Sequence, residues 1–176
     1  RLLQSDSKYF FLSSPRRFGK SLLVSTLKNI FEGRKELFEG LYIYDKISYE
    51  VHPIIHIDFS GTTESAETVR NSLSISLNDT ARFYSISLET KQYNDQFYEL
   101  IKKLHDKSGK RVVILIDEYD KPIIDHIENL SVAKEAREVL KNFYSIVKKA
   151  DSFIHFAFIT GVSKFSRVSI FSGLNN

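Results

Sequence analysis

Val112-Val113-Ile114-Leu115-Ile116-Asp117-Glu118 is the stretch that decides the fold. Five apolar residues stand in a row, four of them β-branched, which favours an extended backbone. A strand with one wet face would alternate apolar and polar residues. This one does not, so both of its faces must be covered, as in a parallel sheet with helices on each side. Two acids follow at once, where the strand must end.

The neighbouring segments supply those helices and further strands. Tyr93, Phe97, Leu100, Ile101 and Leu104 fall at helical spacing before the stretch, and Ser108-Gly109 ends them. After it, Ala133, Ala136, Leu140, Phe143 and Val147 predict another helix, with Ser131 as its N-cap. Phe153 to Ile159 reads as a strand of low polarity. Further upstream, Ile54, Ile55, Ile57 and Phe59 predict a strand stopped at Ser60-Gly61, and Val69, Leu73, Leu77, Ala81 and Tyr84 a helix. Tyr9-Phe10-Phe11-Leu12 predicts the first strand. Leu23, Leu27, Ile30 and Phe31 predict the helix after it, closed by Gly33. The order β–α–β–α–β–α–β implies an α/β fold with a mainly parallel sheet and helices on both faces.

The chain has 176 residues, which fits one domain over residues 1–176. Apolar residues make up 42% and charged residues 27%, values of a globular protein and not of a disordered tail. The 25 Lys and Arg nearly balance the 22 Asp and Glu, which does not imply a bulk nucleic-acid binder and leaves room for a local basic patch. No apolar run approaches the roughly 20 residues of a membrane helix, so no membrane partner is expected. Cys is absent, which removes disulfides, thiol nucleophiles and zinc–thiolate sites, and fits a reducing, cytoplasmic location. The sequence opens on Arg1 and contains no Met, and reads as a segment cut from a longer chain.

The first strand runs into Ser14-Pro15-Arg16-Arg17-Phe18-Gly19-Lys20-Ser21, and a helix follows. This is the phosphate-loop pattern G-x-x-x-x-G-K-[ST] with Ser14 in place of the first Gly. In such a loop, successive backbone N–H groups form a concave nest for phosphate oxygens, and the helix N-terminus adds partial positive charge. Lys20 would reach the β- and γ-phosphates of a nucleotide, and the Ser21 hydroxyl would ligate Mg²⁺. Gly19 lets the backbone approach without a Cβ in the way. Ser14 costs roughly 1 kcal/mol if that position needs a positive φ, unless Pro15 sets the loop on another path. Arg16 and Arg17 either bind phosphate or are solvated.

Asp117 and Glu118 complement this loop. Ligands of open parallel sheets sit outside the C-terminal ends of the strands, so both motifs come to one rim. Asp117 would hold Mg²⁺ and Glu118 would act as general base toward an attacking water. Thr160, at the end of the last strand, would position that water or sense the γ-phosphate, if this strand lies between the other two. Lys164 and Arg167 are either phosphate sensors or surface cations. Together the motifs imply a three-layer P-loop NTPase core that binds ATP with Mg²⁺.

Other readings are weaker. A nucleotide switch without turnover, or an interaction module, would carry the same loop. Asp79 with Glu89-Thr90-Lys91 echoes a metal-nuclease pattern, but the surrounding segment reads as helical. His52 and His56 share a strand face and could chelate a metal, without an evident third ligand. His155 on a strand and His126 on a helix read as structural, and Asp120, Asp125 and Glu128 as a solvated acidic face.

Three segments carry a resemblance. Ser14 to Ser21, Leu115-Ile116-Asp117-Glu118-Tyr119-Asp120-Lys121-Pro122 and Phe158 to Ser166, with the closing Ser169 to Asn176, resemble the predicted AAA-ATPase-like family. The resemblance implies that Lys20 and Ser21 belong to the phosphate-binding motif, Asp117 and Glu118 to the acidic motif, and Thr160 to the strand-end position. It implies that the departure at Ser14 is shared by the family. It also implies an attached C-terminal domain of nuclease-like type in the full-length protein, and a homo-oligomer to complete the site. A fifth core strand and a helical lid are expected beyond Asn176, which makes the core C-terminally truncated.

Overall fold

The computed structural model describes residues 2–5, 7–61 and 64–163. The elements run β1 (Tyr9–Ser13), α1 (Lys20–Phe31), β2 (Ile54–Asp58), α2 (Ala66–Phe83), α3 (Tyr93–Ser108), β3 (Val112–Asp117), α4 (Lys121–Ile124), α5 (Leu130–Lys149) and β4 (Ile154–Gly161). The strands form a sheet in the order β1-β4-β3-β2, with every neighbouring pair parallel.

β3 is buried at all six positions, as its unbroken apolar run requires. Ile114 and Ile116 face a cluster that includes Leu73, Leu77, Phe97, Leu100, Leu140 and Phe143 of α2, α3 and α5. Val113 and Leu115 face Val24, Leu27 and Phe31 of α1 on the opposite side. Burying each such side chain stabilises the fold by about 1.5–3 kcal/mol, so this strand anchors both faces. β4 divides in the same way, with Ala157 and Ile159 toward the larger cluster and Phe156 and Phe158 toward α1. Val112 pairs with Ile154 and Val113 with Phe156, so His155 is one extra residue, a bulge at the start of β4.

Helix ends follow local chemistry. Ser65 caps α2 by accepting the Thr68 N–H at 3.1 Å. Gly109 closes α3 at φ +67°. α5 begins one turn earlier than its apolar period suggests, and its cap is Asn129, whose side chain accepts the Val132 N–H, not Ser131. His126 lies in a turn after α4 and not on a helix. Among the described residues no helix is long and apolar enough to cross a membrane.

Candidate functional site

The parallel order brings the C-terminal ends of all four strands to one rim. β4 lies between β1 and β3, which places Thr160 between the phosphate-loop strand and the acidic strand. Leu12 of β1 is opposite Thr160, and Ser13 is opposite Gly161.

The loop after β1 has a definite path. Ser14 is half-buried and does not adopt a positive φ, so the missing Gly carries no strain there. The left-handed residues are Arg17, at φ +67°, and Gly19, at φ +74°. Gly19 caps α1 without a side chain, leaving the first N–H groups of the helix free to face an anion. Pro15, Arg16, Arg17, Phe18 and Ser21 are exposed, and neither arginine has a hydrogen bond or ion pair among the described residues. Lys20 is only 6% exposed. Its Nζ donates to the Ser14 and Pro15 carbonyls at 2.8 and 2.9 Å, so the loop is curled around its own cation.

At the end of β3, Asp117 is 5% exposed and accepts a hydrogen bond from the Thr160 hydroxyl, itself fully buried. The Glu118 N–H donates to Asp117 Oδ1 at 3.0 Å and lies 3.4 Å from the Thr160 hydroxyl. Glu118 sits at φ +50°, a conformation that costs a non-glycine residue about 1 kcal/mol or more. Its backbone is turned sharply where β3 ends. The side chains of Asp117 and Thr160 are thus brought together directly, and Glu118 joins them through its backbone N–H. Lys20 and Ser21 make no hydrogen bond or ion pair to the two acids.

The two residues after the acids, Tyr119 and Asp120, carry no site motif in the sequence. Tyr119 is fully buried, and its hydroxyl donates to the Ser163 carbonyl at 3.1 Å. Asp120 is 2% exposed, and therefore not part of a solvated acidic face; Asp125, in contrast, is exposed and pairs with Lys121. Gly161 runs against both residues. A Cβ there would overlap the Tyr119 ring and come within 2.8 Å of Asp120 Oδ1. The sequence marks Asp120 only as an acid directly ahead of Lys121-Pro122, where α4 begins.

The remaining candidates separate. His52 precedes β2 and stacks on His155, ring centroids 4.0 Å apart, at the opposite rim, and is not paired with His56. Among the described residues no three His, Asp or Glu side chains cluster to hold a metal. Asp79 is on α2 and pairs with Arg82, while Glu89, Thr90 and Lys91 lie in a non-helical segment, contrary to the helical reading. Lys164, Phe165, Ser166, Arg167 and the closing Ser169 to Asn176 lie outside the described residues.

A protein of Azotobacter chroococcum mcd 1, described as an uncharacterized protein in the vnfD 5′ region, is 42% identical over 176 residues, 99% of this chain. The chain spans only 34% of the length of that curated relative. The model of the AAA-ATPase-like family, described as predicted AAA-ATPase, matches residues 1–171 and so covers both motifs. The chain belongs to this predicted AAA-ATPase family.

Proposed function

We propose that this chain is a three-layer P-loop NTPase core that binds ATP through residues 14–21 and hydrolyses it with Mg²⁺. The observation that carries the reading is the placement of β4, which sets Thr160 between the phosphate-loop strand and the Asp117-Glu118 strand at one rim. Hard oxygen donors suit Mg²⁺, and the Ser21 hydroxyl and the Asp117 carboxylate are of that kind. The metal would neutralise charge developing on the transferred phosphoryl group. Lys20 would exchange the Ser14 and Pro15 carbonyls for phosphate oxygens. Glu118 would take the proton of the attacking water. Thr160 donates to Asp117, so its part is to orient that carboxylate.

In the full-length protein this module would drive or gate an attached nuclease-like domain in the cytoplasm, and reach nucleic acid only through it. A neighbouring copy would complete the site in a homo-oligomer. A fifth strand from the longer chain would pair with the outer edge of β1, whose five residues are all half-buried.

A second reading, a nucleotide switch without turnover, draws support from Lys20. Its ammonium already has two carbonyl partners, so ligand binding must rearrange the loop. Calorimetric titration of Mg²⁺-ATP into the chain and into Lys20→Ala tests both. Saturable binding to the first and at least tenfold weaker binding to the second, about 1.4 kcal/mol, is the expected result. Binding followed by no release of phosphate would select the switch. No binding to either would sink the nucleotide reading.

A further inference from the structure

An Asp that precedes a helix ordinarily accepts an N–H of that helix's first turn. Asp120 stands at this position before α4 and makes no such bond. Its carboxylate instead reaches the segment that leaves β4. It accepts the Val162 N–H at 3.1 and 3.0 Å and the Ser163 N–H at 2.5 Å. A buried carboxylate is costly unless it is hydrogen-bonded in this way, and charge-assisted bonds from backbone N–H groups are among the strong ones.

The same short segment is held from its other side by the phosphate loop. The Ser14 N–H donates to the Gly161 carbonyl at 3.1 Å, and the Ser13 hydroxyl to the Val162 carbonyl at 3.1 Å. The Tyr119 hydroxyl donates to the Ser163 carbonyl, and the Tyr119 N–H to the Thr160 carbonyl at 2.9 Å. Residues 160–163 therefore form a bridge. Their carbonyls are held by Ser13, Ser14 and Tyr119, and the N–H groups of Val162 and Ser163 by Asp120. Gly161 has no side chain because Tyr119 and Asp120 occupy its space.

We propose that Asp120 is a positioning residue which, through the Gly161–Ser163 bridge, holds the phosphate loop and the Asp117-Glu118 strand end at a fixed separation, and so governs turnover more than affinity. The proposal rests on the nucleotide reading above for its kinetic part only. Coupling between the two motifs is a structural claim that stands without it. Loss of the Asp120 carboxylate leaves Lys20, Gly19 and the helix N-terminus in place to bind phosphate. It frees the bridge to shift Thr160, and with it Asp117, relative to the loop.

The test is residue-resolved amide hydrogen exchange of the chain and of Asp120→Asn, which keeps the shape and removes the charge, together with kcat and Kd for Mg²⁺-ATP. Expected are at least tenfold faster exchange at Val162 and Ser163, and faster exchange at Ser14 across the bridge by threefold or more. Leu27, in the middle of α1, should keep its rate. The kcat should fall at least tenfold, with Kd within threefold. Unchanged exchange at Ser14 while Val162 and Ser163 open would overturn the coupling, because Asp120 would then act only locally. Equal losses in Kd and kcat, or an unchanged kcat, would overturn the kinetic part. Absence of nucleotide binding by the unsubstituted chain would refute the function proposed above, and Ser14 exchange would still decide the coupling. If Asp120→Asn does not fold, Tyr119→Phe, which removes only the hydroxyl on the Ser163 carbonyl, must raise Ser14 exchange at least threefold, or the proposal fails.

Discussion

At the C-terminal rim of the sheet, Arg17 and Glu118 hold positive φ angles, and Lys20, Asp117 and Asp120 are charges taken almost wholly out of water. At the N-terminal rim His52 is buried, whereas the ion pairs of Lys8, Asp151, Lys110 and Glu50 stay largely open to water, and Ser85 after α2 also holds a positive φ, of 52°. His52 stacks on His155 and its Nδ1 meets the Arg111 carbonyl at 2.8 Å, with Phe31 edge-on to both rings. Lys8 pairs with Asp151 at 2.6 Å, and Lys110 with Glu50 at 2.8 Å. A hollow of about 510 Å³ lies beside Lys8, His52, Arg111 and His155, while both motifs are at the other end of the strands. Concavity alone is therefore a poor guide here. Left-handed non-glycine residues occur at both rims, whereas the buried Lys20, Asp117 and Asp120 gather at the C-terminal rim, where the proposed site lies, and buried ionisable groups persist only where their surroundings enforce them.

The sharpest way to break this contrast is at Glu118. Glu118→Gln is expected to lower ATP turnover by about 10²–10⁴-fold, roughly 3–5 kcal/mol of barrier, with nucleotide affinity retained. Glu118→Gly should lose turnover equally, yet melt at the same temperature or higher, since it removes a left-handed non-glycine residue worth about 1 kcal/mol. Phosphate-release assays and thermal melts on the same samples check both. A destabilised Glu118→Gly would mean that this backbone conformation carries no strain.

Much of this rim was legible in the sequence because its signals are local. A five-residue apolar run followed by two acids, and a loop closed by Gly19-Lys20-Ser21, need only their flanking elements to be recognised. The placement of strain was not legible. The substitution at Ser14 drew attention, but the loop turns at Arg17 instead, and a φ angle depends on the whole path between two anchored ends. The role of Asp120 is hidden for a related reason. Its partners, Val162 and Ser163, are more than forty residues away, and backbone N–H groups leave no mark in a sequence. Ser131 looked like a cap because the helical period began at Ala133, whereas α5 starts one turn earlier over the exposed Leu130. His52 and His56 share a parity in the sequence, but His52 lies outside β2, and the bulge at His155 brings the stacking partner in from β4.

The N-terminal rim should respond in the opposite sense. His52→Ala removes a ring stack and a hydrogen bond, and is expected to cost about 1–2 kcal/mol of stability, a Tm drop of roughly 2–8 °C. Nucleotide affinity should stay within twofold, and a larger change would dissolve the distinction between the rims. The pH dependence adds a finer check. Burial first, then the neighbouring His52 and Arg111, hold His155 below the ordinary imidazole value. As pH falls through about 6.5, the unfolded chain takes up this proton before the folded one, so stability must fall with it. Thermal melts between pH 8 and pH 5 should show that slope, flattened in His155→Gln.

The smallest effect is expected away from both rims, in the extended segment between α2 and α3. Glu99 gathers the Glu89 N–H at 2.9 Å, the Thr90 N–H at 3.1 Å, the Thr90 hydroxyl at 2.7 Å and Lys103 at 2.7 Å. This latch accounts for Glu89 and Thr90 as a strap on α3, without any metal chemistry. Burial pushes the Glu99 carboxyl up, but the bonds from Lys103, Thr90 and the two backbone N–H groups outweigh it and hold it at about 2, against an ordinary 4.5. A depressed carboxyl contributes stability that is full above the unfolded value and disappears as pH falls through the folded one. The window is therefore about pH 4.5 down to 2. The bonds lie near the surface, so Glu99→Gln should cost under about 1 kcal/mol at neutral pH. Its Tm should converge on that of the unsubstituted chain as the acid is titrated, with turnover untouched throughout. A Tm difference as large at pH 2 as at neutral pH would show that Glu99 acts by packing and not by charge.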